Sequence, residues 1–129
     1  MLDPMAVTKK QSVSSTFVPD EHQREAIEHV EGPMLVIAGA GTGKTSVLVN
    51  RIARLIRDEH ARPDEILALT YADNAAGEVR DRVKKELDQD VSKLQAVTFH
   101  AYCNGLLHRT GNQFNVLDDK DLWIFLRRR

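Results

Sequence analysis

The chain has 129 residues, of which 42% are hydrophobic and 29% charged, and 18 Lys and Arg against 19 Asp and Glu leave a formal net charge of −1. That balance fits one globular domain or part of one, gives no global electrostatic footprint for nucleic acid, and confines any DNA contact to a local patch. No apolar run exceeds five residues, against the ~20 of a membrane-spanning helix; no signal-peptide pattern opens the chain, and the single Cys103 can form no internal disulfide, so a cytoplasmic protein with no membrane partner is expected.

Residues 1–18 are rich in Ser, Thr, Lys and Gln and read as a flexible leader without an assigned role. Asp20 is a good N-cap, and Ala26, Ile27 and Val30 recur at helical spacing until Gly32-Pro33 stops the helix. Met34-Leu35-Val36-Ile37-Ala38 is a continuous apolar run between a proline and a glycine-rich loop, the pattern of a parallel strand buried on both faces. After the loop, Leu48, Ile52, Leu55 and Ile56 fall on one side of a helix while Arg51, Arg54 and Arg57 lie elsewhere on the wheel.

Pro63 ends that helix, residues 66–70 form a second apolar run, and Asp73-Asn74 is expected to cap a helix carrying Ala76, Val79, Val83 and Leu87. Residues 94–99 read as a third strand. Tyr102, Leu106 and Leu107 mark a helix ended near Gly111, and Asp118 or Asp119 caps a last helix with Leu122, Trp123 and Leu126. The order αβαβαβαα implies crossover connections and hence an α/β fold with a parallel sheet. Three strands are few for such a sheet, so an incomplete domain is expected.

Ala38-Gly39-Ala40-Gly41-Thr42-Gly43-Lys44-Thr45 matches the phosphate-loop pattern with Ala in place of the first Gly, and it stands between a predicted strand and a predicted helix. Glycines at 39, 41 and 43 allow backbone angles and close approaches that a Cβ would obstruct, so successive N–H groups can surround phosphate oxygens. The helix start adds its positive dipole end, Lys44 brings a mobile cation for the β- and γ-phosphates, and the Thr45 hydroxyl is placed to ligate Mg²⁺. The expected ligand is a nucleoside triphosphate. The loop by itself fits kinases, GTPases, transporters and helicases equally well.

Four segments in fixed order narrow that choice: residues 19–27 (PDEHQREAI), the AGAGTGKT loop, Leu69-Thr70-Tyr71-Ala72-Asp73-Asn74-Ala75-Ala76 with Glu78 and Arg82-Val83 following, and Val97-Thr98-Phe99-His100-Ala101-Tyr102-Cys103. Together, over residues 19 to about 126, they resemble the UvrD/Rep-type superfamily 1 DNA helicases, matching the Q motif, motif I, motif Ia and the Thr-Phe-His segment after it. The resemblance implies a RecA-like P-loop sheet, with residues 19–112 part of the ATP-binding domain 1A and residues 113–129 the start of the helical 1B insertion. It implies an ATP-binding fragment of an ATP-dependent helicase or translocase acting on single-stranded DNA, with 3′ to 5′ polarity.

By that match Gln23 recognises adenine, although Asp20 and Gln23 also have the spacing of a capping box. Thr70, Tyr71, Thr98, Phe99 and His100 would hold single-stranded DNA by hydroxyl–phosphate bonds and ring stacking; the alternative is that both aromatics are core and His100 simply begins a helix. Ala72-Asp73-Asn74 departs from the family's Thr-Asn-Lys, losing a hydroxyl and a positive charge and adding an acid where phosphates would pass. Cys103 is expected to pack as a small hydrophobe, Trp123 to join the core, and Arg127, Arg128 and Arg129 to be solvated.

Hydrolysis needs an acid at the end of a second strand to hold Mg²⁺. The Asp-Glu pair after residue 62, Asp64-Glu65, precedes its strand rather than following it, so the hydrolytic residues are expected outside this sequence and the chain alone to turn over little ATP. A noncatalytic nucleotide-binding or interaction module, or a fragment of a helicase-nuclease subunit, is the competing reading.

Overall fold

The computed structural model describes residues 17–111 together with 123, 124, 126 and 127, and its first helix, α1 (Glu21–Glu28), opens at Asp20. The Asp20 carboxylate accepts from the Gln23 N–H at 2.9 Å, and Gln23 Oε1 accepts from the Asp20 N–H at 3.0 Å. This reciprocal cap satisfies two donors that a helix start otherwise leaves unpaired. The helix stops at His29, short of Val30, and Gly32 (φ +81°) turns the chain in a left-handed conformation that favours glycine.

Helix α2 (Lys44–Arg57) buries Val49, Ile52, Ala53 and Ile56. Its seam is displaced slightly from the predicted stripe, leaving Leu48 and Leu55 half-buried at the edges. Arg51 Nη1 donates to the Ala26 carbonyl at 2.7 Å, covering one of the end carbonyls of α1 and tying the two helices together. A 3-10 turn at Pro63–Glu65 then leads into β1 (Leu67–Thr70), which is followed by α3 (Asp73–Leu87), β2 (Gln95–Thr98) and α4 (Phe99–Arg109).

The two strands run parallel in the register Leu67↔Gln95, Ala68↔Ala96, Leu69↔Val97 and Thr70↔Thr98, with α3 supplying the crossover. Ala68 and Ala96 are register partners and both are buried; their small side chains admit Val49, Ile52 and Ile56 from α2 and Val79 and Val83 from α3, with Val91 and Leu94 closing the cluster. Burying each such valine contributes roughly 1.5–3 kcal/mol. The opposite face of the sheet, Leu67, Leu69, Gln95 and Val97, is exposed or half-buried, so among the described residues the core lies on one side of the sheet.

Several expectations are corrected. Residues 34–38 form no strand, and Leu35 and Ile37 are 85% and 88% exposed. A strand exists only by pairing its N–H and C=O groups with a neighbour, and among the described residues β1 and β2 pair with each other and not with this segment. The apolar run therefore reports what the segment would bury, without supplying the partner.

Asp73 is the first residue of α3 and not its cap; Ala72 holds the N-cap position with no side-chain bond, and Asp73 instead places a carboxylate in the first turn, where the helix dipole favours it. Cys103 is exposed rather than packed. Trp123 is 56% exposed rather than core; Arg127 is exposed as expected, and its guanidinium lies 4.0 Å from the Trp123 ring centroid in a cation–π contact. Residues 1–16 of the expected leader at 1–18, and the expected cap at Asp118 or Asp119, lie outside the described residues.

Candidate functional site

Two left-handed glycines shape the loop of residues 38–45. Gly41 has φ +76° and Gly43 φ +81°, and Gly43 is the N-cap of α2. Between them Thr42 Oγ1 donates to the Gly39 carbonyl at 2.9 Å, closing a local turn through Ala40. Because Gly43 has no side chain to cap with, the N–H groups of Gly43, Lys44, Thr45 and Ser46 begin α2 without a side-chain acceptor, and the first helical bond runs from the Val47 N–H to the Gly43 carbonyl at 3.0 Å. A concentrated set of donors at the positive end of a 14-residue helix is a ready anion site.

Lys44 stands at that end, exposed, with its ammonium donating to the Ala38 carbonyl at 3.1 Å and to the Gly39 carbonyl. Both acceptors belong to the loop itself, so the cation is folded back over the donors rather than paired with a carboxylate. A phosphate would offer it a stronger, charge-assisted partner. Thr45, the second residue of α2, is exposed beside it. Among the described residues no group of three or more His, Cys, Asp or Glu could hold a metal ion.

Gln23 serves the cap and the loop together. Besides the capping box, its Nε2 donates to the Thr42 carbonyl at 3.0 Å, pinning the start of α1 to the loop. An amide carries two N–H donors and two lone pairs, so one of each remains after these bonds. A cavity of about 420 Å³ opens beside it, lined by Gln23, Ala26, Val36, Lys44, Leu48 and Arg51, within the range of small-ligand pockets. Lys44, Leu48 and Arg51 follow one another at i, i+4 and i+7, so a single face of α2 looks into it. Arg51 thus lines the cavity as a second basic residue, and its i+7 spacing from Lys44 is the sequence signal for that placement.

The second cluster lies at the C-terminal ends of β1 and β2. Parallel register puts Thr70 beside Thr98, so Tyr71 and Phe99 emerge next to each other with ring centroids 5.3 Å apart and planes tilted by 42°. Tyr71 is 89% and Phe99 41% exposed, which overturns the core reading of these rings. His100 is exposed in the first turn of α4. Thr98 is buried, and its Oγ1 accepts from the Ala101 N–H at 3.2 Å as the cap of α4; Thr70 Oγ1 donates to the Ala72 carbonyl at 3.0 Å. The two rings and His100 are thus the exposed groups here, while the two hydroxyls have structural bonds.

Asp64 and Glu65 lie at the opposite, N-terminal side of β1, each paired with Arg62, at 3.2 Å and 3.0 Å. The Arg62 guanidinium, through its hydrogen bond, holds the Asp64 carboxyl below the usual carboxylate range. This acid pair does not share an edge with Tyr71 and Phe99.

Gly43→Ala tests the loop's geometry. A Cβ there would meet Gln23 Nε2 at 3.6 Å and Phe17 at 3.7 Å, ordinary contacts, so the cost is the left-handed backbone itself, about 1–2 kcal/mol. A thermal midpoint lowered by on the order of 5 °C is expected in a melting scan; an unchanged midpoint would mean that the loop is not held in this conformation.

The sequence matches the UvrD/REP helicase N-terminal domain family over residues 20–125. It is 46% identical over 95 residues to an ATP-dependent DNA helicase PcrA of Leuconostoc citreum, covering 73% of this chain and 13% of that protein. It is 39% identical over 105 residues to an ATP-dependent DNA helicase PcrA of Bacillus subtilis (strain 168), covering 77% of this chain and 14% of that protein. The chain therefore spans about one-seventh of the length of the curated relatives it matches. With a two-stranded parallel sheet and helices α1 to α4 among the described residues, and this match over most of its length, the chain belongs to the UvrD/REP helicase N-terminal domain family.

Proposed function

We propose that this chain is the nucleotide-binding part of an ATP-dependent DNA helicase or translocase that works on single-stranded DNA with 3′ to 5′ polarity in the cytoplasm. Residues 19–112 belong to a RecA-like domain 1A, and residues 113–129 begin a helical 1B region. Residues 38–45 hold the triphosphate of ATP: Gly39, Ala40, Gly41, Thr42 and Gly43 by backbone N–H groups, Lys44 by its ammonium, Thr45 by binding the accompanying Mg²⁺. Gln23 reads adenine with the donor and acceptor that its cap and loop bonds leave over.

The observation that carries this reading is the uncapped start of α2, four N–H donors below a lysine whose partners among the described residues are two loop carbonyls. The exposed Tyr71–Phe99 pair supports the DNA half of the reading, because aromatic rings at the C-terminal ends of parallel strands offer stacking faces where open α/β sheets place ligands. The chemistry of hydrolysis requires an acid and a water-orienting group, which would come from the rest of a full-length protein.

The test is ATP hydrolysis by the full-length protein that contains this sequence, with and without single-stranded DNA. Stimulation by DNA is expected; turnover indifferent to DNA would contradict the proposal and favour a phosphotransfer role, and no hydrolysis at all would favour a noncatalytic one. Tyr71→Ala should weaken binding of an oligothymidylate by roughly 5- to 100-fold, the scale of one lost base–aromatic stack. Fluorescence anisotropy measures it, and an unaltered affinity would remove Tyr71 from the DNA surface.

A further inference from the structure

We propose that Arg82 is a positioning residue for the nucleotide loop and acts through Ser46. The inference rests on residues 38–45 being the triphosphate site. Ser46 is the third residue of α2, directly after Lys44 and Thr45, and its N–H is one of the four donors without a helical partner. Its Oγ accepts from Arg82 Nη2 at 2.8 Å across 36 residues of sequence, in a half-buried contact between α2 and α3. Glu78, one turn earlier on α3, takes Arg82 Nη1 at 3.2 Å and so orients the guanidinium with Nη2 toward Ser46. On the other side, the Ser46 carbonyl accepts from Asn50 Nδ2 at 2.8 Å. Ser46 is held at both its side chain and its carbonyl.

Electrostatics distinguishes this contact from ordinary helix packing. Arg51 and Arg80 also bridge elements, but each donates to a backbone carbonyl, Ala26 and Ala96 respectively. Ala26 lies near the C-terminus of α1, where the dipole favours a cation, and Ala96 is a strand residue with no helix dipole of its own. Arg82 meets the first turn of α2, the positive end, where a second cation beside Lys44 is unfavourable until an anion arrives. Glu78 offsets part of that cost in the free protein. An arrangement unfavourable without a ligand and favourable with a phosphate raises affinity for the triphosphate specifically. Because α3 begins two residues after Tyr71, Arg82 also joins the helix leaving the exposed ring pair to the helix that carries Lys44.

The experiment is calorimetric titration of the 129-residue chain with Mg²⁺ and ATP, and separately with AMP, for the wild type, Arg82→Ala, Arg82→Lys, Ser46→Ala and the Arg82→Ala/Ser46→Ala pair. Arg82→Ala is expected to weaken ATP roughly 3- to 10-fold and leave AMP unaffected, the scale of one charge at a helix end. Ser46→Ala should give a similar loss, the pair no more than either single change, and Arg82→Lys a partial recovery. Ser46→Ala removes one oxygen from a helix and carries the test even where Arg82→Ala lowers the melting point. ATP affinity unchanged in Ser46→Ala and Arg82→Lys, whatever their melting points, would reduce Arg82 to packing and overturn the inference while leaving the triphosphate site standing. A wild-type chain that binds no ATP would overturn both.

Discussion

Lys44→Ala is expected to weaken binding of ATP by on the order of 10- to 100-fold, the worth of a hydrogen bond to a charged group, about 1.5–3 kcal/mol. In the free protein the Lys44 ammonium is exposed and, among the described residues, donates to the carbonyls of Ala38 and Gly39, which water can satisfy in its absence. The variant should therefore melt within a degree or two of the wild type, since exposed substitutions of this kind change stability by no more than roughly 0.5 kcal/mol. Titration calorimetry together with a thermal scan checks both clauses. Normal ATP affinity in the variant would show that the phosphates do not lie against this lysine.

A second large effect is expected at the core. Val83 is fully buried on α3 among Val49, Ile52, Val79 and Val91, with no cation in that cluster to pair a new carboxylate. Val83→Asp would remove apolar contacts and bury an unpaired charge, a cost of at least several kcal/mol that approaches the roughly 5–15 kcal/mol total stability of a small domain. Loss of the cooperative unfolding transition is expected, followed by circular dichroism. A retained transition near the wild-type midpoint would mean that α3 does not pack on β1 and β2 as described. Val83→Ala, which deletes two methyl groups without adding charge, should keep the transition at a lower midpoint.

Local chemistry was readable from the sequence where a few adjacent residues decide it. Asp20 and Gln23 are three apart, and both halves of their capping box are present. Pro63 and the apolar runs on either side of α3 located β1 and β2 to within a residue. The glycine spacing in residues 38–45 foretold a loop with left-handed residues ahead of a helix, and Gly41, Gly43 and the start of α2 have that form.

What local pattern does not contain is the partner. Residues 34–38 have the composition of a central strand, yet pairing is a property of two segments, and the described residues offer this one no ladder. Trp123 and Cys103 were assigned by residue type to the interior, whereas burial depends on what packs above a residue, and both are exposed. Asp73 fell one position inside its helix because cap and first-turn residues favour the same side chains for related electrostatic reasons. The Arg82–Ser46 contact was invisible for the same cause as the missing strand: 36 residues separate its ends, and only the packing of α2 on α3 brings them together.

The fold and the loop meet in one quantity, the difference in affinity between ATP and AMP for the chain in the presence of Mg²⁺. The two share a base, a sugar and an α-phosphate, so the difference isolates what the N–H groups of Gly43, Lys44, Thr45 and Ser46 and the Lys44 ammonium do for the β- and γ-phosphates. Calorimetric titration should show ATP binding at least about tenfold more tightly than AMP, since even one added charge-assisted bond of roughly 1.5 kcal/mol has that effect. Equal affinities for the two nucleotides, or no binding of either, would contradict a triphosphate cradle at residues 38–45.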